Sequence, residues 1–175
     1  MKHDKYFKKC IEEYKDFPIE GINYLDMNPL YKKVSWRNLL VSECISKCRD
    51  LNFDYIGMVE SRGFIIGSML AHDLDKGVIL LRSKPNRLPG DTVRVEHTLE
   101  YGESQMEVQT GEGRVLIFDD VLATGGTSQA ATDVLTMAGY TPIGALFPVE
   151  LTFLDPALFL LLQFVHNLQL LQKNG

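Results

Sequence analysis

Apolar positions along this chain switch between two periods. From Trp36 to Leu51, Leu40, Cys44, Ile45 and Cys48 recur at helical spacing, with Ser35 offered as N-cap. Tyr55 to Val59 is a short apolar run and predicts a strand. Gly63 to Leu74 carries Ile66, Met69, Leu70 and Leu74 on one helical stripe. Val78 to Leu81 predicts another strand. Thr92 to Leu99 alternates Val93, Val95 and His97 with polar residues, as a half-exposed strand does. Gln105 to Val108 can pair with it across a turn at Tyr101 to Ser104. Val115 to Phe118 is wholly apolar and so predicts a buried strand. Thr127 to Ala138 places Ala130, Ala131, Val134, Leu135 and Ala138 on a core-facing stripe, and Gly139 stops that helix from the C′ position. Pro142 to Val149 reads as a further strand. The N-terminal Met1 to Cys10 is a charged lead-in, helical or loose. Phe17 to Leu30 holds Pro18, Gly21 and Pro29 among aromatics, an ordered loop with a short strand. Pro156 to Leu171 is apolar and predicts a helix on the sheet or at a subunit contact. Buried strands alternating with helices give the fold class: α/β, a mostly parallel twisted sheet flanked by helices.

Composition adds bounds. The chain has 175 residues, 45% hydrophobic and 23% charged, which fits one soluble domain spanning 1–175. A domain of this size buries roughly 70% of its unfolded surface, enough for a core without staples. Lys and Arg number 18 against 23 Asp and Glu, a net −5. That balance argues against a general nucleic-acid binder but leaves room for a locally positive pocket that takes an anionic small molecule. Cys10, Cys44 and Cys48 lack a C-x-x-C or Cys/His pattern. The last two, four apart, read as half-buried thiols on one helix face. The opening MKHDKYFKKC has no apolar stretch of the secretory kind. Gln163, His166, Asn167 and Gln169 interrupt the richest apolar run, so no membrane helix is expected. A cytoplasmic, reduced setting follows.

The most informative segment is VLIFDDVLATGGTSQAA, Val115 to Ala131. A buried strand runs into two adjacent acids, then Ala123-Thr124-Gly125-Gly126-Thr127, then a helix. Open α/β sheets bind ligands at the carboxyl ends of parallel strands. Gly125 and Gly126 allow positive φ and close approach to an anion. The helix behind them offers unpaired N–H groups and the positive end of its dipole. Thr124 and Thr127 can donate hydroxyls. Asp119 and Asp120 can accept from a ribose diol and can attract a divalent cation carried by a pyrophosphate. The bland alternative is an ordinary strand-turn-helix with a capping threonine; twin acids, a T-G-G-T turn and an apolar helix in that order outweigh it. A Walker loop is excluded because no lysine follows Gly126. The dinucleotide fingerprint fails because Gly111 and Gly113 precede the strand.

VLIFDDVLATGGT resembles the phosphoribosyl-pyrophosphate motif of type I phosphoribosyltransferases. FPIEGINYLDMNPL, VESRGFIIG at Val59 to Gly67 and LPGDTVRVEHTLEYG at Leu88 to Gly102 narrow the resemblance to the adenine branch, in the family's order from Phe17 to about Leu154. The resemblance implies a small N-terminal hood at approximately 1–33 and a mobile β-hairpin lid. It implies purine salvage: adenine and phosphoribosyl pyrophosphate give AMP and pyrophosphate, with Mg²⁺ bound through the pyrophosphate near Asp119 and Asp120. A homodimer is also implied.

Site roles follow from the same resemblance. Asp119, Asp120, Ala123, Thr124, Gly125, Gly126 and Thr127 take the ribose and 5-phosphate. Ser61 and Arg62 form a pyrophosphate loop, where the family often holds a non-proline cis peptide, and Arg62 also counts as catalytic. Arg82, Lys84 and Arg87 supply further cations, although this chain carries an extra residue between Arg82 and Leu88. Glu100 resembles the catalytic acid or base acting near purine N7, and Tyr101 belongs to the lid. Asn23, Tyr24 and Leu25 line the base. Many relatives carry arginine where Leu25 stands, so backbone and shape carry base selection here. The rivals are transfer to another base, hypoxanthine-guanine or orotate, and a non-catalytic sensor of phosphoribosyl pyrophosphate that binds nucleic acid. The acidic balance and the Glu100-Tyr101 segment weigh against the sensor.

Overall fold

The computed structural model describes residues 7, 9–99, 102–123, 125–152, 155–157 and 161–163. Its centre is a five-stranded sheet. Strands β3 (Tyr55–Val59), β4 (Gly77–Leu81), β7 (Arg114–Phe118) and β9 (Thr141–Phe147) lie parallel in the order β9-β7-β3-β4. Strand β12 (Leu161–Gln163) pairs antiparallel on the outer side of β9. The two-residue period of a strand divides the core in two. Ile56, Met58, Leu116, Phe118 and Leu146 face one side, against helices α2 (Val34–Cys48) and α3 (Gly63–Asp73). Val59, Val115, Ile117, Ala145 and Phe147 face the other, against α4 (Gly126–Met137). Strands buried on both faces must be apolar throughout, which is why these segments stand out in the sequence.

The second face is also covered by a hairpin of β5 (Thr92–Leu99) and β6 (Gly102–Gln109), paired from Thr92↔Gln109 to Leu99↔Gly102. Its second strand therefore begins at Gly102, three residues before the expected Gln105. A main-chain bridge between Arg82 and Glu107 joins the hairpin to the end of β4.

The N-terminal part forms a ribbon of β1 (Glu12–Lys15) and β2 (Asn23–Asp26), then α1 (Asn28–Lys32). Strand β1 was not expected: all four of its residues are exposed, so it carries no burial pattern. Leu25, Met27, Leu30 and Tyr31 join the same apolar cluster as α2 and α3.

Other boundaries moved for identifiable reasons. Helix α2 starts at Val34 with Lys33 as N-cap, so Ser35 sits inside the first turn and makes no cap. Cys44 and Cys48 are fully buried rather than half-buried. The expected strand to Val149 breaks at Pro148, which has no N–H for a ladder. The chain resumes as β10 (Val149–Thr152), parallel to β8 (Val121–Leu122) and antiparallel to β11 (Asp155–Ala157). The helix expected from Pro156 is thus corrected to strand at Pro156–Ala157 and at β12, and the rest of that run lies outside the described residues. Gly139, at φ +101, ends α4 as expected.

Candidate active site

Because β3, β4, β7 and β9 are parallel, their carboxyl ends share one edge of the sheet. Three loops meet there: Glu60-Ser61-Arg62 after β3, Arg82 to Arg87 after β4, and Asp119-Asp120 after β7. Gly63 lets the first loop lie against the third. A Cβ on it would stand 3.0 Å from the Phe118 carbonyl oxygen and 3.4 Å from Asp119 Oδ1. The Glu60–Ser61 peptide is cis.

Arg62 is the hub. Its Nε donates to Asp120 Oδ2 at 2.8 Å, and Nη1 donates to the Leu25 carbonyl at 3.4 Å. Its guanidinium carbon lies 5.5 Å from the Tyr24 ring centre, and Phe17 meets the same ring edge-on. Asp120, 1% exposed, also accepts from the Tyr31 hydroxyl at 3.0 Å. Arg62 and Tyr31 thus tie the N-terminal ribbon and α1 to the acidic loop. Tyr31 was not singled out in the sequence, where nothing distinguishes it from a core aromatic.

Burial raises the Asp119 carboxyl well above the ordinary aspartate range, and the neighbouring Asp120 charge adds to this. Burial likewise raises Asp120, against the opposing pull of Arg62 and Tyr31. A carboxyl whose folded pKa is raised binds its proton more tightly folded than unfolded. Its stabilising effect is present below the unfolded pKa and is lost as pH rises through the folded one. At neutral pH the ligand-free protein therefore bears a cost at Asp119. Asp119→Asn keeps an acceptor for the Asp120 N–H, which now binds Asp119 Oδ1 at 2.8 Å. It is expected to melt higher than the natural protein at pH 7.5, with the gap closing as pH falls to about 4. Calorimetric melting at both pH values checks this.

The glycine turn has the expected form in part. Gly125 is left-handed at φ +88 and caps α4, whereas Gly126 is already helical. No described side chain caps α4, and no acid stands in its first turn, so its N–H groups face the loop unneutralised. Ala123 is exposed and Thr127 half-buried beside them.

The basic loop is held by two acids. Glu60 Oε2 accepts from the Ser83 N–H at 2.9 Å and hydroxyl at 3.2 Å, while Oε1 pairs with Arg82 Nη2 at 3.2 Å. Arg82 Nε is enclosed and has no acceptor among the described residues. Ser61, Lys84 and Arg87 are exposed. Within this loop Asn86 takes the left-handed φ of +59. Glu107, buried under this loop, was not anticipated. Asn23, Tyr24 and Leu25 lie on β2, with the Leu25 side chain in the core. Glu100, Tyr101 and Thr124 lie outside the described residues. Among the described residues no group of three or more His, Cys, Asp or Glu could hold a metal ion, and no helix is long and apolar enough to cross a membrane.

No family model matches the chain. It is 44% identical over 154 residues to the adenine phosphoribosyltransferase of Prochlorococcus marinus (strain NATL1A), covering 84% of this chain and 87% of that one. Its structure is similar to the adenine phosphoribosyltransferase of Rhodothermus marinus DSM 4252, with a TM-score of 0.78, 35% identity, and 87% and 89% of the two chains covered. It is also similar to the Saccharomyces cerevisiae enzyme complexed with adenine and an imino-altritol bisphosphate. There the TM-score is 0.78 at 29% identity, with 87% and 91% covered.

Proposed function

This chain belongs to the adenine phosphoribosyltransferases, and on that footing we propose how its residues divide the work of joining adenine to a 5-phosphoribosyl group. In that reaction the purine N9–C1′ bond forms as the bond from C1′ to pyrophosphate breaks, and the products are AMP and pyrophosphate. The observation that carries the assignment is the meeting of Arg62, Asp120 and the uncapped N-terminus of α4 at the carboxyl edge of the sheet.

Main-chain N–H groups from Ala123 to Thr127, aided by the hydroxyls of Thr124 and Thr127, bind the 5-phosphate. Asp119 and Asp120 accept from the ribose hydroxyls. The pyrophosphate lies between Ser61 and Arg62 on one side and Arg82, Lys84 and Arg87 on the other. The Arg82 Nε–H, which has no acceptor among the described residues, supports this, since an enclosed guanidinium donor costs stability until an acceptor reaches it. Adenine stacks against Tyr24, and the main chain of Asn23 to Leu25 reads its edge. Stacking of this kind contributes roughly 1–3 kcal/mol per base. Glu100 receives the N7 proton, and Tyr101 closes over the site and excludes water.

Mg²⁺ suits the donors present. Asp120 is engaged by Arg62 and Tyr31, and Asp119 by the Asp120 N–H, so the carboxylates suit a cation that brings its own oxygen ligands on a pyrophosphate. Such a cation would neutralise the leaving group. The family resemblance further supports a homodimer in the cytoplasm. The shared core cluster supports treating the hood and the sheet as one domain.

Pyrophosphate release measured with each base in turn tests the reading. Adenine is expected to give turnover that exceeds hypoxanthine, guanine and orotate by at least about 100-fold, as a site built for its exocyclic donor allows. Equal turnover with hypoxanthine would overturn the adenine assignment.

A further inference from the structure

Glu107 has no exposed surface, yet the chemistry above gives its carboxylate no direct use. A buried carboxylate costs several kcal/mol unless charge and hydrogen bonds offset it. Here they do. Oε2 accepts the Arg87 N–H at 2.9 Å, and Oε1 accepts Arg94 Nε at 3.1 Å and Nη2 at 3.0 Å. Burial favours the protonated form, but the bonds from Arg87, Arg94 and Thr92 outweigh it, and the carboxyl stays below its ordinary pKa. Glu107 is therefore charged at neutral pH.

Its main chain completes the picture. The Arg82 N–H donates to the Glu107 carbonyl at 2.9 Å, and the Glu107 N–H donates to the Arg82 carbonyl at 2.9 Å. One residue of β6 thus grips both ends of the basic loop: the start through its backbone, the end through its side chain. Arg94 Nη2 also donates to Asn86 Oδ1 at 2.7 Å, at the loop's left-handed residue. An apolar pair would cover this face of the hairpin as well, but it would leave the Arg87 end of the loop unfastened.

We propose that Glu107 and Arg94 are positioning residues that hold the loop from Arg82 to Arg87 in the shape that receives the pyrophosphate of the donor. This rests on the assignment of that loop to pyrophosphate.

The test uses Glu107→Gln and the double variant Glu107→Met/Arg94→Met. Glu107 is buried while the Arg94 side chain is 41% exposed, so two methionines keep the bulk of the pair without its charges, and melting of the double variant separates packing from positioning. KM for phosphoribosyl pyrophosphate and for adenine are measured separately, and pyrophosphate with Mg²⁺ is titrated directly by calorimetry. Both variants are expected to raise the donor KM and the pyrophosphate Kd by about 10-fold, with the adenine KM held within about 2-fold. The inference fails if the double variant melts and binds pyrophosphate as the natural protein does, or if both KM values rise together. Absence of adenine turnover in the natural protein would instead overturn the family reaction, and the pyrophosphate titration would still report on the loop. A natural protein that does not bind pyrophosphate overturns the inference.

Discussion

Asp120→Asn is expected to lower turnover by about 100- to 1,000-fold, because it removes a preorganised charge from the centre of the site. The carboxylate is nearly inaccessible, and its Oδ2 takes both Arg62 Nε at 2.8 Å and the Tyr31 hydroxyl at 3.0 Å. Asparagine preserves the shape and can still accept from Tyr31, but it no longer neutralises Arg62. The guanidinium then loses the ion pair that aims it, while its longer bond to the Leu25 carbonyl remains. Since 37% of the Arg62 side chain is exposed, solvent softens the loss, and relief of the buried Asp120 charge offsets part of it, so a stability decrease of only about 1 kcal/mol follows. Tyr31→Phe is the control. It removes one hydrogen bond and no charge, so it is expected to cost about 1 kcal/mol and to change turnover far less. Steady-state kinetics and thermal melting of the two variants decide the matter. Near-natural turnover of Asp120→Asn would remove Asp120 from the substrate site.

The parts of this fold legible in the sequence are those where burial is two-sided or a turn demands glycine. Val115 to Phe118 can be nothing but an interior strand, and Gly139 marks the end of α4 because its φ of +101 suits no other residue well. The twin acids and glycine turn were legible for the same reason: their order along the chain has a chemical purpose that a plain turn lacks. What escaped was set by contacts distant in sequence. Glu107 lies between Met106 and Val108 in a strand expected to pair with the half-exposed Thr92 to Leu99, so alternation assigns it to solvent. The loop from β4, some twenty residues earlier in the chain, covers that second face, and all three residues are buried. Strand β1 escaped because its ribbon buries none of its side chains. The apolar segment after Pro156 has no period that separates helix from strand; its described parts pair with β9 and β10 instead.

Glu100→Ala is expected to lower kcat by about 100- to 1,000-fold while leaving the adenine KM within about 3-fold. The reasoning is a proton count. Adenine attacks through the N9 lone pair of the tautomer that carries its proton on N7, and AMP leaves without that proton. A carboxylate that receives it acts in the transition state, where the purine acquires positive charge, and contributes little to binding the neutral base. Glu100→Gln can still accept a hydrogen bond at N7 but cannot take the proton there, so it is expected to lose nearly as much as alanine. Neither variant is expected to change the melting temperature by more than about 1 °C, because a group that receives the N7 proton acts on the transition state rather than on the ligand-free fold. This separates Glu100 from Asp120. Asp120 is bound to two partners in the folded protein, so its loss registers in stability and in rate; the loss of Glu100 registers in rate alone. If kcat is unchanged in Glu100→Ala, the N7 proton goes elsewhere, and the catalytic assignment of Glu100 falls while family membership stands.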